Sequence, residues 1–276
     1  MNLVKILDLR LKELHKVMFN SIHPIPALQD NYIWAITNQQ GTELAVVDPG
    51  DPAPVIQLAE QLGLRLSHIL ITHHHKDHTG GLASLEKYSR PKVIGPRSNK
   101  IRGITEYVAD GDTFHLFGVE LTVIGVPGHT LDHIAFAAMN CTKPVLFCGD
   151  TLFAGGCGRL FEGHPQMMSE SLSKLSSLDD HTKVYCTHEY TLSNLAFATA
   201  ANPNNKMLRA RLAAEQEKRN LGRPTLPSTI RLELDTNPFL RCKDVDIIEV
   251  LKKRTEVPLE TPVEVFGALR SWKDNF

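Results

Sequence analysis

Hydrophobic and polar positions follow two different rhythms along this chain, and the change falls near residue 190. From about Ile33 to His188, short apolar runs alternate with segments of helical period. Glu43–Val47, His68–Thr72, Ile134–Ala138, Val145–Cys148 and Val184–Cys186 read as buried strands. Phe114–Leu116 and Val119–Val126 flank Phe117-Gly118 as a hairpin would. Val55, Ile56, Leu58 and Leu62 stand at helical spacing and predict a helix over Pro54–Gln61, and a second is expected at Leu82–Tyr88. Strands interleaved with helices imply a layered α/β domain. Beyond Tyr190 the strand signal disappears. Thr191–Ala201 and Lys206–Asn220 are helical in period, Gly222, Pro224 and Pro227 break the chain, and shorter helices are expected at Asp244–Lys252 and Glu260–Leu269. The pattern therefore predicts an α/β domain over 18–190 and a small all-helical domain over 191–276.

Residues 1–17 place Leu3, Val4, Leu7, Leu11 and Leu14 on one helical face, but Lys5, Asp8, Arg10, Lys12 and Glu13 interrupt any signal-peptide core. They read as an upstream start or an appended leader ahead of Met18, and not as a membrane anchor. No uninterrupted apolar run approaches the roughly 18 residues of a spanning helix.

Composition narrows the function classes. The 276 residues are 42% hydrophobic and 22% charged, an ordinary globular balance. Lys and Arg total 30 against 31 Asp and Glu. An enzyme that grips nucleic acid by counterion release usually shows a basic excess, so no nucleic-acid partner is expected. Cys141, Cys148, Cys157, Cys186 and Cys242 form an odd set without C-x-x-C spacing. Reduced core thiols and a cytoplasmic location follow as expectations.

The chemistry concentrates in Thr72-His73-His74-His75-Lys76-Asp77-His78, directly after an apolar strand. In an extended segment His73, His75 and Asp77 share a face, and the turn at Gly80-Gly81 can swing His78 beside Asp77. By the same parity His74 points away. Three more candidates follow strand ends: His129 after Pro127-Gly128, Asp150 after Gly149, and His188 after Val184–Cys186. Imidazoles and carboxylates suit a borderline cation such as zinc. Seven ligands exceed one tetrahedral ion but suit two ions bridged by a carboxylate, roughly 3.5–4 Å apart, which can hold a hydroxide between them. No G-x-S-x-G and no Cys–His arrangement offers a competing nucleophile. His15, His23, His68, His115, His164 and His181 have no motif context and read as surface or core histidines. His133 reads as a hydrogen-bond partner of a ligand, and Asp48 as a turn former or such a partner.

The set His73-x-His75-x-Asp77-His78 resembles the hallmark of the metallo-β-lactamase superfamily. Within it, residues 18–276 are similar to the glyoxalase II (hydroxyacylglutathione hydrolase) family. The matching segments are Thr72–Gly81, Thr130-Leu131, Cys148–Phe153, Gly155–Arg159, Thr187–Thr191, Asn237–Arg241 and Lys273–Phe276. That resemblance implies an αββα sandwich followed by a helical domain carrying part of a glutathione site. It implies one ion on His73, His75 and His129 and another on Asp77, His78 and His188, with Asp150 bridging, so that Asp77 and Asp150 serve catalysis directly. It places Arg159, Tyr190, Arg270 and Lys273 against the glutathione moiety. The implied reaction is hydrolysis of S-D-lactoylglutathione by a monomer holding two divalent ions, zinc by default with iron or manganese also fitting. Arg159 replaces the lysine of some members and Phe161 the tyrosine of others. Residues 1–17 have no counterpart in the family pattern. A persulfide dioxygenase is the nearest alternative, but lacks the helical tail. A nuclease is disfavoured by neutral charge, a β-lactamase by Asp77, and a non-catalytic metal-binding protein by the complete ligand set.

Overall fold

A computed structural model describes residues 18–276, so the amphipathic face expected within residues 1–17 lies outside the described residues. Two six-stranded sheets lie face to face. The first runs β1 (Ser21–Ala27), β2 (Asn31–Thr37), β3 (Glu43–Val47), β4 (Arg65–Leu70), β5 (Lys92–Pro96) and β6 (Glu106–Val108) in sequence order. The second has β7 (Thr113–Leu116), β8 (Val119–Gly125), β9 (Ile134–Ala138), β10 (Val145–Gly149), β13 (Lys183–Cys186) and β14 (Ser228–Thr229), paired in the order β14-β13-β10-β9-β8-β7. A two-stranded hairpin, β11 (Leu152–Phe153) and β12 (Gly156–Cys157), stands apart.

Side chains alternate along each strand, and here both faces of the first sheet find cover. Trp34, Ile36, Leu70 and Ile94 point to the core shared with Leu121, Phe136 and Phe147 of the second sheet. Their neighbours Ile33, Ala35, Leu44 and Ile69 point outward under α1 (Pro52–Leu62) and α3 (Leu82–Ser89). On the far side, α4 (Pro165–Ser176) contributes Met168, Leu172 and Leu175 to the inner cluster. This is the expected αββα sandwich. The sheets are laced together at one edge: Ile134 N–H donates to Thr72 O at 2.9 Å, and Tyr32 N–H to Thr187 O at 2.6 Å. That edge carries the ligand loops.

Several elements escaped the sequence pattern. Pro24 and Pro26 disguise β1, yet it is an edge strand paired only with β2, where a missing N–H is tolerated. The strand expected to reach Thr72 ends at Leu70, because Thr72 N–H turns to the Asp48 carboxylate at 2.8 Å. The segment after Thr72 does not stay extended either. A helical turn, α2 (Lys76–Thr79), begins before the glycines and carries Asp77 and His78.

Beyond residue 190 come α5 (Thr191–Ala201), α6 (Lys206–Asn220), α7 (Ile230–Thr236), α8 (Val245–Lys252) and α9 (Pro262–Asp274). The helical expectation has one exception, since Ser228–Thr229 forms β14 and extends the second sheet. Phe197, Phe239, Phe266 and Leu269 join the same apolar cluster as Phe147. Removing four such side chains uncovers the apolar surface they cover, at a cost on the order of 8 kcal/mol in all, comparable to the whole net stability of a domain. A chain cut after Tyr190 is therefore expected to bind a hydrophobic dye and lose cooperative unfolding. A monomeric fragment with a sharp thermal transition would contradict this.

Candidate metal centre

His129, Asp150 and His188 follow strand ends closely, whereas Asp77 and His78 ride on α2 in the segment that leaves β4. Asp150 follows β10 through Gly149, whose φ of 49° lies in the left-handed region. A Cβ there would come within 2.4 Å of Thr72 Oγ1 and 2.8 Å of the His133 ring, so the position admits only glycine. Asp150 Oδ2 lies 3.2 Å from His188 Nε2 and 3.5 Å from both His78 Nε2 and His129 Nε2. Asp77 Oδ2 stands 3.3 Å from His78 Nε2 and 3.5 Å from His188 Nε2. His75 Nδ1 is 3.0 Å from His129 Nε2.

The ligand atoms fall into three overlapping groups, each within a 4.8 Å span: His73, His75 and His129; Asp77, His78 and His188; and His73, His78 and Asp150. The structure thus brings together all seven residues singled out in the sequence. What aims them is the other nitrogen of each ring. His78 Nδ1–H donates to Asp48 Oδ2 at 3.0 Å, His188 Nδ1–H to Asp30 Oδ1 at 2.8 Å, and His129 Nδ1–H to Arg159 O at 2.8 Å. Thr72 gives its own hydroxyl proton to Asp48 at 2.7 Å, so it accepts from His73 Nδ1–H at 3.1 Å. Four Nδ1 atoms hold protons outward, and four Nε2 atoms therefore face inward, the orientation that metal-binding histidines use.

His73 Nε2, His78 Nε2 and Asp150 Oδ1 are buried without a hydrogen-bond partner. Orphaned polar atoms cost about 1–3 kcal/mol each, so the donor set fits a cation it was built to hold. Charge agrees. Burial resists ionisation of Asp150, yet His78 and His188 hold its carboxyl well below the usual range. Burial likewise resists protonation of His78, but Asp150 and Asp48 hold it well above its ordinary value. Burial pushes His73 well down, with His78 and His133 adding to the effect. Loading must therefore expel a proton from His78, which acid opposes.

Beside this centre lies a cavity of about 510 Å³. His75, Asp77, His129, Asp150 and His188 line it, together with Arg159, Ser193, Arg270 and Lys273. Tyr190 stacks on His188 with centroids 4.7 Å apart and planes 3° apart. Phe161, 63% exposed, stands edge-on to His75 and His129 at 5.5 and 5.2 Å.

Residues 29–188 match the family model described as metallo-beta-lactamase superfamily, and residues 189–276 match hydroxyacylglutathione hydrolase C-terminus. The chain is 50% identical over 256 residues to a hydroxyacylglutathione hydrolase of Ectopseudomonas mendocina (strain ymp), covering 92% of this chain and 99% of that protein. It is 48% identical to that of Nitrosomonas europaea, covering 93% and 96%. The chain belongs to the hydroxyacylglutathione hydrolase family. Solved structures agree on the fold. ETHE1 from Myxococcus xanthus superposes with a TM-score of 0.61 at 22% identity, covering 93% of this chain and 98% of that one. TTHA1623 in a di-iron-bound form gives 0.54 at 25% identity, covering 81% and 100%. The name shared by the relatives favours the hydrolase over the dioxygenase alternative, and the superfamily's chemistry makes this a divalent-metal-binding enzyme.

Within the cavity the four residues expected to meet substrate are not equivalent. Arg159 is exposed and Tyr190 partly so, and both face the cavity. Lys273 is half-buried, 3.4 Å from Ser193 Oγ, with its ammonium pKa pushed down by burial and by Arg270 and Arg159. Arg270 is only 5% exposed, and its donors are committed: Nη1 to Cys157 O at 3.0 Å, Nε and Nη2 to Asp274 at 3.1 and 2.9 Å. Arg270 lines the cavity, as the resemblance implies, but not as a free charge. The arginine is tied into the wall.

Sequence reading missed Asp30 and Asn31, which orient His188 and Asp77 from the end of the β1–β2 turn and the first residue of β2. A polar Asp-Asn pair before an apolar run was the available signal, but it also describes any turn. His133 does contact ligands as expected. Its Nε2 accepts from Asp150 N–H at 3.1 Å, its ring stacks on His73 at 4.5 Å, and burial and then His129 lower its pKa to about 3. His74 bonds to Asp132 Oδ1 at 2.8 Å, with its side chain outside the seven-ligand set. Losing such an orienting partner typically weakens metal affinity about 10- to 100-fold. Asp48→Asn should do this in a competitive zinc titration while His74→Ala retains wild-type affinity. Equal effects of the two changes would contradict the division of roles.

Proposed function

We propose that the chain hydrolyses S-D-lactoylglutathione to D-lactate and glutathione, using two divalent ions. The observation that carries this reading is a dinuclear donor set, five of whose seven residues line one cavity together with Arg159, Arg270 and Lys273. His73, His75 and His129 would hold one ion, and Asp77, His78 and His188 the other, with Asp150 between them. When bound, such a pair supplies a hydroxide nucleophile near neutral pH and polarises the acyl carbonyl. Zinc is the proposed occupant, and iron or manganese also suits nitrogen and oxygen ligands.

The chain's own groups do the rest. Asp150 and Asp77 concentrate negative charge at the metal centre, and the Nδ1 partners keep the histidine Nε2 atoms aimed there before substrate arrives. Arg159 and Lys273 face the two carboxylates of glutathione, and Tyr190 lends an aromatic wall. In hydrolysis an oxygen–carbon bond forms at the acyl carbon and the carbon–sulfur bond breaks. Glutathione then leaves as a thiolate and takes up a proton.

We divide the work at residue 190. Every ligand precedes it, whereas Ser193, Arg270 and Lys273 follow it. An odd set of five cysteines without C-x-x-C spacing suits a reducing cytoplasm, and the near-neutral charge suits a monomer without a nucleic-acid partner. Among the described residues no helix is long and apolar enough to cross a membrane.

Thioester loss from S-D-lactoylglutathione tests the reading. A charge-assisted hydrogen bond is worth about 1.5–3 kcal/mol, so Lys273→Ala should raise KM roughly tenfold or more. The lysine is not among the seven ligands, so kcat should move less. Added salt should raise the wild-type KM, because it screens the same attraction. An unchanged KM in the variant would mean that Lys273 is only solvated charge.

A further inference from the structure

Helix α7 inserts a carboxylate into the catalytic half of the molecule. Glu233 is fully buried, and its Oε1 takes Arg211 Nη2 at 2.6 Å and the Ser228 hydroxyl. Its Oε2 accepts Gly155 N–H at 2.8 Å and Asn237 Nδ2 at 3.0 Å. Asn237, also fully buried, donates to Phe153 O at 3.2 Å and Gly156 O at 2.9 Å. Asn194 donates to Ala154 O at 3.2 Å, and Arg270 to Cys157 O at 3.0 Å. Every residue from Phe153 to Cys157 is thus hydrogen-bonded by a side chain from beyond residue 190.

A buried ion pair contributes little net stability, since desolvation offsets its attraction. Its placement here suggests another use. Strands of two residues cannot hold a hairpin in one position by themselves. This hairpin nevertheless forms a wall of the cavity: Phe153 and Cys157 line it, and Arg159 follows two residues later. Phe153 also stands edge-on to His188 and Tyr190, at 5.8 and 5.5 Å. Only His129 leans on the hairpin's exit, through Arg159 O, while Asp48, Asp30 and Thr72 orient the other rings from elsewhere.

We propose that Glu233 and Asn237 are positioning residues that set the β11–β12 hairpin, so that affinity for the glutathione thioester is governed from within the helical segment. The proposal rests on the function argued above. Neither residue lines the cavity. Their effect runs through the backbone that carries Phe153 and Arg159.

Two sets of variants test it in the metal-loaded full chain. The first is Asn237→Ala. The second replaces the ion pair as a unit, Arg211→Met with Glu233→Leu, so that no buried charge is stranded. Both should retain two metal equivalents and a kcat within about twofold of wild type. The KM for S-D-lactoylglutathione and the inhibition constant of free glutathione should rise together, about fivefold or more. Glu233→Gln in the Arg211→Met background restores an acceptor for Gly155 N–H and should recover both constants. Folded variants with wild-type KM and glutathione inhibition, or with kcat and metal content lost instead, would overturn the proposal. Hydrogen exchange supplies an arm independent of turnover. The Gly155 amide should be strongly protected in wild type, and exchange at the rate of an exposed loop overturns the proposal even if no variant folds. A wild-type chain inactive on the thioester sinks the functional reading, while Gly155 protection still reads the hairpin's attachment.

Discussion

A buried carboxylate surrounded by imidazole nitrogens is the constraint on which this molecule turns. Asp150 has three histidine Nε2 atoms within 3.5 Å of one oxygen, while its other oxygen is buried without a partner. Such an arrangement is unfavourable in a neutral core and becomes favourable only with cations present. The surroundings preserve it by fixing the far nitrogen of each ring. Asp48 alone receives His78, the Thr72 backbone and the Thr72 hydroxyl, and it adopts a left-handed φ of 52° at the end of β3. A non-glycine residue in that region is strained, and the three hydrogen bonds it makes are the compensation the structure shows.

The sandwich exists in a form that serves this centre. Ligand-bearing loops leave β4, β8, β10 and β13, which belong to two different sheets. They meet because backbone hydrogen bonds close the sandwich at that edge, from Thr72 to Ile134 and from Thr187 to Tyr32. Gly50 lets the Asp48 turn pass directly under α2, where a Cβ would lie 1.8 Å from Asp77 O. The helical segment completes the other half of the site. It lends Lys273 and Ser193 to the cavity, adds β14 to the second sheet, and buries Phe197, Phe239 and Phe266 in the common core.

Much of this was legible in the residues, and the gaps have physical reasons. All seven candidate ligands, which the structure brings together, could be picked out because metal ligation demands side chains of a few types. The strands at Glu43–Val47 and Ile134–Ala138 and the helices at Thr191–Ala201 and Lys206–Asn220 fall where the pattern placed them. β1 stayed hidden because its two prolines are tolerated only on an edge, and edge position is a tertiary fact. Asp30 and Asn31 stayed hidden because a turn carries no periodicity. The state of Arg270 was out of reach for a similar reason. Sequence shows a charge three residues from Lys273, whereas burial against Cys157 O and Asp274 decides what that charge does.

If Asp150 links two ions for thioester hydrolysis, stripping the chain with a chelator and returning zinc in measured steps should restore turnover of S-D-lactoylglutathione until two equivalents are bound. Activity should then level off, and Asp150→Asn should fail to reach that plateau. Full activity at one equivalent, or an Asp150→Asn chain that binds two ions and turns over normally, would contradict this bridging role.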